Sequence, residues 1–372
     1  MPSPLRIAMA VRDARSLSGT TTLARELAAG AAKAGHTVRL LSWRPPVAPP
    51  LGVRSHRVAM VPFSSALRAW SFDLAARLAA RALRADIVHG HGDLTRQDVL
   101  TVNNVDAAEA QYAGRPRVGS PGTLFVRRRQ FGAAGRIVTV SERARRDLER
   151  FYGVDPARVE VIPPGVDSGR FTPEGKDEAR RELRAKLGLP AGSRILLSLI
   201  SGDAQRRNIE GLLEAFSRAK LGEEWSLLVV GDVHAAEHPA KAALSAAGRL
   251  RTLPKTDQPE RVYRACDAFI LPAHYETFGL TALEAMASGL AAAVTSTCGA
   301  AELLQDGVNA LILPDSRDLD AMARAIELLA DGKTAARLSE AGLRLARERD
   351  WAGTVEAYLA LYDRVHREKN GG

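Results

Sequence analysis

Short apolar runs alternate with amphipathic stretches along the whole chain of 372 residues. Continuous apolar runs predict strands buried on both faces, as in parallel sheets, and the stretches between them have the spacing of helices. In the first half the predicted strands are Arg6–Val11, Val38–Ser42, Arg57–Val61, Asp86–His89, Val99–Val102, Arg136–Val140 and Val159–Ile162. The predicted helices there include Thr20–Ala34, Ser64–Arg84 and Glu142–Phe151.

A Pro- and Gly-rich break interrupts this alternation, at Pro163-Pro164-Gly165 and Pro173-Glu174-Gly175. Neither residue type continues a helix or a central strand, so residues 164–175 are predicted to be a linker. The pattern then restarts, with predicted strands Ile195–Ile200, Ser226–Val230, Arg249–Leu253, Ala268–Leu271, Ala291–Thr295 and Ala310–Leu313. Predicted helices include Asn208–Lys220, Gln258–Cys266, Gly279–Ser288, Asp318–Ala330 and a last one, Trp351–Arg367.

Two α/β domains follow from this organisation, each a doubly wound, Rossmann-like sheet covered by helices. Residues 1–163 are predicted to form the first domain and residues 176–350 the second. The C-terminal helix within residues 351–372 is predicted to pack back toward the first domain. Ligands of such sheets bind at the carboxyl ends of the strands, which directs the search to strand-to-helix turns.

The charge is unevenly distributed between the two halves. The chain carries 52 Lys+Arg and 43 Asp+Glu, a net +9. Residues 1–162 hold 25 basic and 13 acidic residues, a net +12, whereas residues 163–372 hold 27 and 30, a net −3. A basic first half favours an anionic partner such as nucleic acid, an anionic membrane or a phosphorylated substrate, although general Arg-rich usage gives the same excess.

Cysteine usage and hydropathy predict a cytoplasmic protein. Only Cys266 and Cys298 are present, which fits a reducing compartment. No stretch reaches the roughly 18 apolar residues of a membrane span. A peripheral position at a membrane stays open, because Ser64–Arg84 places Trp70, Leu74 and Leu78 on one stripe beside several arginines. The alternative is an ordinary helix that covers the sheet.

Several familiar sites are missing from the sequence. The turn after the first strand has no G-x-G-x-x-G, which disfavours a dinucleotide cofactor. No Cys/His spacing fits zinc, and Asp318-Leu319-Asp320 is better explained as a helix cap, so no metal is expected. Ser18 and Gly19 precede a helix, where backbone N–H groups can approach a phosphate, or where they form only a capped turn.

The strongest signal is a pair of carboxylates in the turn and helix that follow Ala268–Leu271. Glu276 falls in the loop and Glu284 about two helical turns on, roughly 10 Å away. Between them the N–H groups of Phe278, Gly279 and Leu280 are predicted to be free. Carboxylates accept hydrogen bonds from hydroxyls and a helix N-terminus attracts anions, so this arrangement suits a hydroxyl-rich, phosphate-bearing ligand. Apolar neighbours of Glu284 argue against a merely solvated helix.

These residues carry a resemblance to a known family. Glu276 and Glu284 match the E-x7-E motif of retaining glycosyltransferases of family 4, which have the GT-B fold. Asp86–His91, Arg136–Phe151, Val161–Asp167 with Arg170-Phe171, and Cys298–Glu302 resemble further segments of that family, in the same order. The resemblance covers nearly the whole chain and looks nearest to the lipopolysaccharide-core glucosyltransferase branch. It implies an active site in the cleft between two Rossmann-like domains.

The resemblance also implies roles for individual residues. Glu284 would bind the nucleotide ribose, and Glu276 with the backbone at Phe278, Gly279 and Leu280 would hold the donor sugar. Gly202 stands where the family usually has an Arg, which leaves Arg206 and Arg207 to clamp the diphosphate. Asn103 stands where a His near the acceptor is usual. Asn103, Asp106 and His91 are candidates to face the reacting centre, with a structural role as the alternative for His91. The remaining residues expected at the donor site are Ser18, Gly19, Pro254, Cys298 and Gly299.

The function implied is retaining transfer of a sugar from a UDP- or GDP-sugar to a hydroxyl of a lipid-linked, anionic or cell-envelope glycan acceptor. The departing diphosphate oxygen would take the acceptor's proton, with no cofactor and no metal. Nucleic acid is not an expected partner. A nucleotide-sugar epimerase on the same fold is the first alternative, and a nucleic-acid-binding protein is a more remote one.

Overall fold

The computed structural model of the chain describes residues 3–16, 18–114, 121–200, 205–231 and 238–371. It forms two compact units. Unit 1 comprises Met1–Ala108, Arg117–Pro164 and Trp351–Gly372, and unit 2 comprises Glu109–Pro116 and Gly165–Asp350. Both units are of the α/β class, as the alternating pattern predicts.

Unit 1 is built on a parallel sheet of seven strands. The strands are β1 (Arg6–Ala10), β2 (Thr37–Ser42), β3 (Val53–Arg57), β4 (Ile87–Gly90), β5 (Gln97–Val102), β6 (Ala134–Thr139) and β7 (Val159–Val161). The helices along this part of the chain are α1 (Gly19–Lys33), α2 (Ser65–Ala82), α3 (Asp106–Tyr112), α4 (Pro121–Ala133) and α5 (Glu142–Tyr152). The strand order is β3-β2-β1-β4-β5-β6-β7, so the winding direction changes between β1 and β4.

The third strand of unit 1 differs from the prediction. The structure has Val53–Arg57 paired with β2, not Arg57–Val61. This strand lies at the sheet edge, where only Val53 is buried and the next four side chains are exposed, so it has no apolar run to mark it. Val58 is buried because it packs on a cluster that includes Phe72 and Ala76 of α2.

Unit 2 is built on a second parallel sheet, of six strands. They are β8 (Arg194–Leu199), β9 (Trp225–Val230), β10 (Leu250–Leu253), β11 (Ala268–Leu271), β12 (Ala291–Thr295) and β13 (Leu311–Leu313). The helices are α6 (Lys176–Leu187), α7 (Ile209–Arg218), α8 (Pro239–Ala246), α9 (Pro259–Ala265), α10 (Leu280–Ala287), α11 (Leu319–Ala330) and α12 (Gly332–Glu348). The order β10-β9-β8-β11-β12-β13 changes direction between β8 and β11.

The last helix, α13 (Trp351–Lys369), belongs to unit 1 and packs on α1 and β4. Its Tyr358 and Tyr362 are fully buried and bond to polar side chains of the sheet. The Tyr362 hydroxyl lies 2.7 Å from His89 Nδ1, and the Tyr358 hydroxyl lies 2.9 Å from Thr101 Oγ1. Among the described helices, none combines the length and apolar character that a membrane span requires.

Candidate functional site

The loops after β8 and β11 meet where the sheet of unit 2 changes its winding direction. Ligands of doubly wound sheets bind at this position, because a crevice opens outside the carboxyl ends of the two strands where the strand order reverses. Arg206 and Arg207 follow β8, and Glu276 follows β11. Residues 201–204, including Gly202, lie outside the described residues. The predicted donor residues of unit 2 thus fall largely at this switch point.

Glu276 joins both arginines in one ion-paired cluster. Its Oε2 lies 2.9 Å from Arg206 Nη1 and 2.6 Å from Arg207 Nη1. All three side chains are largely buried, and Arg206 Nη1 also donates to the carbonyl of Tyr275 at 3.2 Å. Burial lowers the pKa of Arg207, and the adjacent Glu276 carboxylate partly opposes this. Two guanidinium groups share one carboxylate here, which concentrates positive charge at the strand ends.

Backbone bonds hold the arginine pair in position. Asn208 has φ 53° and ψ 46°, a left-handed conformation that asparagine tolerates better than most residues. Its side-chain amide donates to the carbonyl of Ser316 at 2.6 Å, and the N–H of His274 donates to the carbonyl of Arg206 at 2.9 Å. The arginines therefore lie on a loop tied to two other loops of the same unit.

The first turn of α10 presents free donors, as the sequence predicts. Among the described residues, none accepts a hydrogen bond from the backbone N–H of Phe278, Gly279 or Leu280. Carbonyls of the same loop are used instead: Gly299 N–H donates to Glu276 O at 2.9 Å and Ala300 N–H to Phe278 O at 2.7 Å. The N-terminal end of α10 can therefore accept an anion or a polar sugar oxygen.

Cys298, one of the residues predicted for the donor site, has its side chain turned to the interior of the loop after β12. Its side chain is fully buried, and the thiol donates to the Phe278 carbonyl at 2.9 Å. Burial raises the pKa of Cys298 to about 12, so the group stays a neutral thiol. The side chain braces the loop from inside and does not face solvent.

Gly279 is required where it stands. Its φ of +91° disfavours any residue with a side chain, and an added Cβ would lie 2.4 Å from Cys298 Sγ. We expect Gly279→Ala to lower the free energy of unfolding by about 2–4 kcal/mol. Urea unfolding measures this.

The matched control is Gly353→Ala within α13, where an added Cβ meets nothing within 4 Å. Alanine is the better helix former by about 1 kcal/mol, so that variant should be as stable as the wild type or more so. Equal stability of Gly279→Ala and the wild type would contradict the steric argument.

Glu284 lies on α10 with its carboxyl partly buried. The Tyr263 hydroxyl donates to Glu284 Oε2 at 3.0 Å. Burial raises the pKa of Glu284 to about 7, and the Tyr263 hydrogen bond opposes the rise without cancelling it. The predicted need of this carboxyl for a partner is confirmed, and the partner comes from α9.

This raised pKa makes the stability depend on pH. The Glu284 carboxyl holds its proton more tightly in the folded protein than in the unfolded chain. Its contribution to the free energy of unfolding is therefore complete below about pH 4.5 and is lost as the pH rises through about 7. The loss is on the order of 2–3 kcal/mol. We expect the free energy of unfolding to fall less between pH 5 and pH 8 in Glu284→Gln than in the wild type, as measured by urea unfolding. An equal fall in the variant and the wild type would contradict this prediction.

The carboxyl edge of unit 1 holds the other predicted site residues. His91 follows β4 and is buried, yet neither ring nitrogen has a hydrogen-bond partner within the described part of the chain. Its neighbour His89 has a partner for each, Tyr362 and Thr101. Burial lowers the pKa of His91 to about 4, so its ring is neutral. Of the two histidines, His89 therefore has a structural role, and His91 could still form hydrogen bonds with a ligand.

Other polar groups surround this edge. Asn103 follows β5, and its amide nitrogen is also without a partner among the described residues. Arg12 follows β1, and its guanidinium pairs with Asp93 after β4, with Nη2 3.3 Å from Oδ1. The backbone N–H of Arg12 also donates to the Asp93 carboxylate at 3.0 Å. Asp106 pairs with Arg127 at 2.8 Å. Arg12 and Asp106 are thus engaged in ion pairs, whereas the His91 ring and the Asn103 amide nitrogen could still form hydrogen bonds with a ligand.

Ser18 and Gly19 lie at the start of α1. Ser18 is the N-cap and accepts from the Thr21 N–H at 3.3 Å, and an added Cβ on Gly19 would meet nothing within 4 Å. Both the capped-turn interpretation and an open helix N-terminus fit these facts. Pro254 is exposed at the carboxyl end of β10, and Gly299 begins a short 3-10 turn.

Asp318 caps α11 as predicted, because its carboxylate accepts from the Ala321 N–H at 2.8 Å. Three tyrosines near the site escaped the sequence interpretation. Tyr263 positions Glu284 through its hydroxyl. Tyr275 stacks on Tyr112 with ring centroids 5.2 Å apart. No local signal marks Tyr263 or the tyrosine pair, since their partners lie far away in the chain.

Family models match both halves of the chain. Residues 17–170 match the model described as Glycosyltransferase Family 4, and residues 179–344 match the model described as Glycosyl transferases group 1. The D-inositol 3-phosphate glycosyltransferase of Kineococcus radiotolerans is 30% identical, over 90% of this chain and 86% of its own length. The enzyme of that name from Xylanimonas cellulosilytica is also 30% identical, over 79% of this chain and 70% of its own length.

Solved structures share the fold at lower identity. WaaG, a glycosyltransferase involved in lipopolysaccharide biosynthesis, has a TM-score of 0.79 and 19% identity, covering 96% of this chain and 99% of its own. HepE of Anabaena, solved with UDP-glucose, has a TM-score of 0.73 and 16% identity, covering 96% and 98%. The sequence motifs, the two doubly wound sheets and these matches agree: the chain belongs to the family 4 glycosyltransferases of the GT-B fold and is an enzyme that transfers a sugar.

Proposed function

We propose that this enzyme transfers a sugar from a nucleotide-diphosphate sugar, with retention of configuration, to a hydroxyl of an anionic or lipid-linked acceptor of the cell envelope. One observation carries the proposal: Arg206 and Arg207 converge on Glu276 beside the free N–H groups of α10. That cluster offers charge for a diphosphate and a hydrogen-bond acceptor for sugar hydroxyls, side by side.

On the donor side, Arg206 and Arg207 neutralise the diphosphate, and the forked guanidinium suits phosphate oxygens. Glu276 then accepts hydrogen bonds from the sugar, and the backbone of Phe278, Gly279 and Leu280 donates to it. Glu284 accepts hydrogen bonds from the ribose. Ser18, Gly19, Pro254 and Gly299 stay candidates for further contacts, and Cys298 contributes through the loop it braces.

The chemistry needs no protein nucleophile. The bond between the anomeric carbon and the diphosphate oxygen breaks, and the acceptor oxygen bonds to that carbon on the same face. The acceptor's proton passes to the departing diphosphate oxygen. The protein supplies positioning and stabilises the charge that develops on the diphosphate.

The acceptor role is proposed for unit 1. Its His91 and Asn103 have unused hydrogen-bonding capacity, and residues 1–162 carry a net +12. The curated relatives are named for D-inositol 3-phosphate, an anionic molecule, and WaaG is described as acting in lipopolysaccharide biosynthesis. HepE, solved with UDP and glucose, favours UDP as the nucleotide. We propose a peripheral location at the inner face of the plasma membrane.

A nucleotide panel followed by product analysis tests this function. UDP, GDP, ADP and their sugar conjugates are compared by thermal shift, and the conjugate that binds is incubated with D-inositol 3-phosphate or with lipid-linked acceptors. Proton NMR of the product should show the anomeric configuration of the donor. An inverted product would refute retention, and a new nucleotide sugar formed without acceptor would establish the epimerase alternative.

A further inference from the structure

Helix α2 buries Phe72 but turns most of its larger apolar side chains away from the sheet. Phe72, Ala76 and Ala80 form its buried face. The opposite face carries Leu67, Trp70, Leu74 and Leu78, with exposed fractions of 45%, 64%, 38% and 59%. Their spacing places all four on one side of the helix. The predicted apolar stripe therefore exists, and it points outward.

The exposed apolar side chains are concentrated in the stretch of chain that contains this helix. Of the ten large apolar side chains that are exposed in the described chain, eight lie between residues 47 and 78. Besides the four on α2, these are Val47, Leu51, Val61 and Phe63. An exposed apolar surface of this kind marks an interaction site.

The same stretch is strongly basic. Residues 44–84 contain seven arginines and one acidic residue, Asp73. Asp73 is buried, where it accepts hydrogen bonds from Thr95 and pairs with Arg77 at 3.1 Å. Arg68, Arg81 and Arg84 are exposed and have no ion-pair partner within the described residues. The surface thus combines apolar side chains with unpaired positive charge and exposes no carboxylate of its own stretch.

A cavity of about 420 Å³ lies beside the C-terminal half of α2. Arg77 and Arg81 of the helix, Arg96 and Lys369 line it, together with Asp98. Asp98 is already used, because its carboxylate accepts from Lys369 Nζ at 2.9 Å and from the Val88 N–H at 2.7 Å. The cavity therefore presents net positive charge, and Arg81 belongs both to it and to the basic edge of α2.

We propose that this surface docks unit 1 on an anionic lipid bilayer. Helix α2 lies in the plane of the interface with Leu67, Trp70, Leu74 and Leu78 among the lipid chains, and the cavity receives a lipid phosphate. A second copy of the chain fits less well, since it would bring two arginine-rich faces together. The inference deepens the proposed membrane location and rests on it, but it concerns binding and can be measured without sugar transfer.

Vesicle co-sedimentation of the full chain tests the proposal, with no nucleotide sugar or acceptor present. Vesicles of phosphatidylcholine alone are compared with vesicles that also contain phosphatidylglycerol. We expect binding to the anionic vesicles only, and weaker binding as the salt concentration rises.

Two sets of substitutions separate the apolar from the basic contribution. The triple variant Leu67→Ser, Trp70→Ser, Leu74→Ser should bind anionic vesicles at least tenfold more weakly. The double variant Arg81→Gln, Arg96→Gln should lose about fivefold per arginine. Matched controls on α11 are Leu328→Ser and Arg324→Gln, also exposed side chains of a surface helix, which should bind as the wild type does. Circular dichroism verifies folding.

Several results would overturn the proposal. Equal binding to neutral and anionic vesicles would do so, as would unchanged binding of both the triple and the double variant. A dimer that the triple variant dissociates, with no vesicle binding by the wild type, would instead assign the surface to a second copy. Vesicle binding by a protein that transfers no sugar to anionic or lipid-linked acceptors would support this inference and refute the proposed function, so the two failures are distinguishable.

Discussion

The Glu284→Ala variant is expected to lose the thermal stabilisation that the cognate nucleoside diphosphate gives to the wild-type protein. A ligand at 100 times its dissociation constant stabilises the folded state by about 2.7 kcal/mol, which is roughly 5 °C or more for a unit of this size. Glu284 is the proposed acceptor of the ribose hydroxyls, so its removal takes away the contact that orients the nucleoside.

The matched control for this experiment is Tyr263→Phe. It removes the hydroxyl that donates to Glu284 at 3.0 Å and leaves the carboxyl in place. We expect this variant to keep most of its nucleotide-dependent shift, measured against its own unliganded melting temperature. A full nucleotide-dependent shift in Glu284→Ala would show that Glu284 does not contact the ribose.

Substitution of Arg207 by glutamine is expected to lower the rate of sugar transfer by on the order of 10²–10³. The guanidinium lies at the switch point of unit 2, largely buried and 2.6 Å from Glu276. Its proposed task is to stabilise the charge that grows on the diphosphate as the glycosidic bond breaks. Release of the nucleoside diphosphate, followed with saturating donor and acceptor, measures the rate.

Two further variants make this result interpretable. Arg207→Lys keeps the charge but loses the forked geometry, so its rate should lie between those of wild type and glutamine. Arg261→Gln removes an exposed arginine of the same unit, paired with Glu182, and should leave the rate unchanged. If Arg207→Gln stays folded and loses less than tenfold, then Arg207 does not clamp the diphosphate.

Much of the fold was predictable because its strands are buried on both faces. β9 is an example, since all six of its residues are buried and the run is continuous in the sequence. The edge strand β3 was misplaced by the same reasoning, because only Val53 is buried there. The charged helix α6 was not predicted either, and only Ala179, Leu183 and Arg184 are buried on it.

The candidate site was predictable to the extent that its residues are neighbours in the chain. Glu276, the free N–H groups and Glu284 lie within one turn and the helix after it, so local geometry predicts their relation. Arg206 and Glu276 are 70 positions apart, and no spacing rule gives their distance. Cys298 is part of the Cys298–Glu302 segment that resembles the family. The sequence does not show which way its side chain points, and only the packing shows that it faces the interior.

By itself, then, the sequence determined two doubly wound α/β halves and the Glu276–Glu284 motif, because burial patterns and helix geometry are properties of contiguous residues. Only the tertiary structure decided which distant side chains meet: Arg207 with Glu276, and Tyr263 with Glu284. It also decided which face of α2 is buried, since the small residues Ala76 and Ala80 let the helix approach the sheet and leave Trp70 outside. Such choices depend on contacts between segments, and a linear pattern does not contain them.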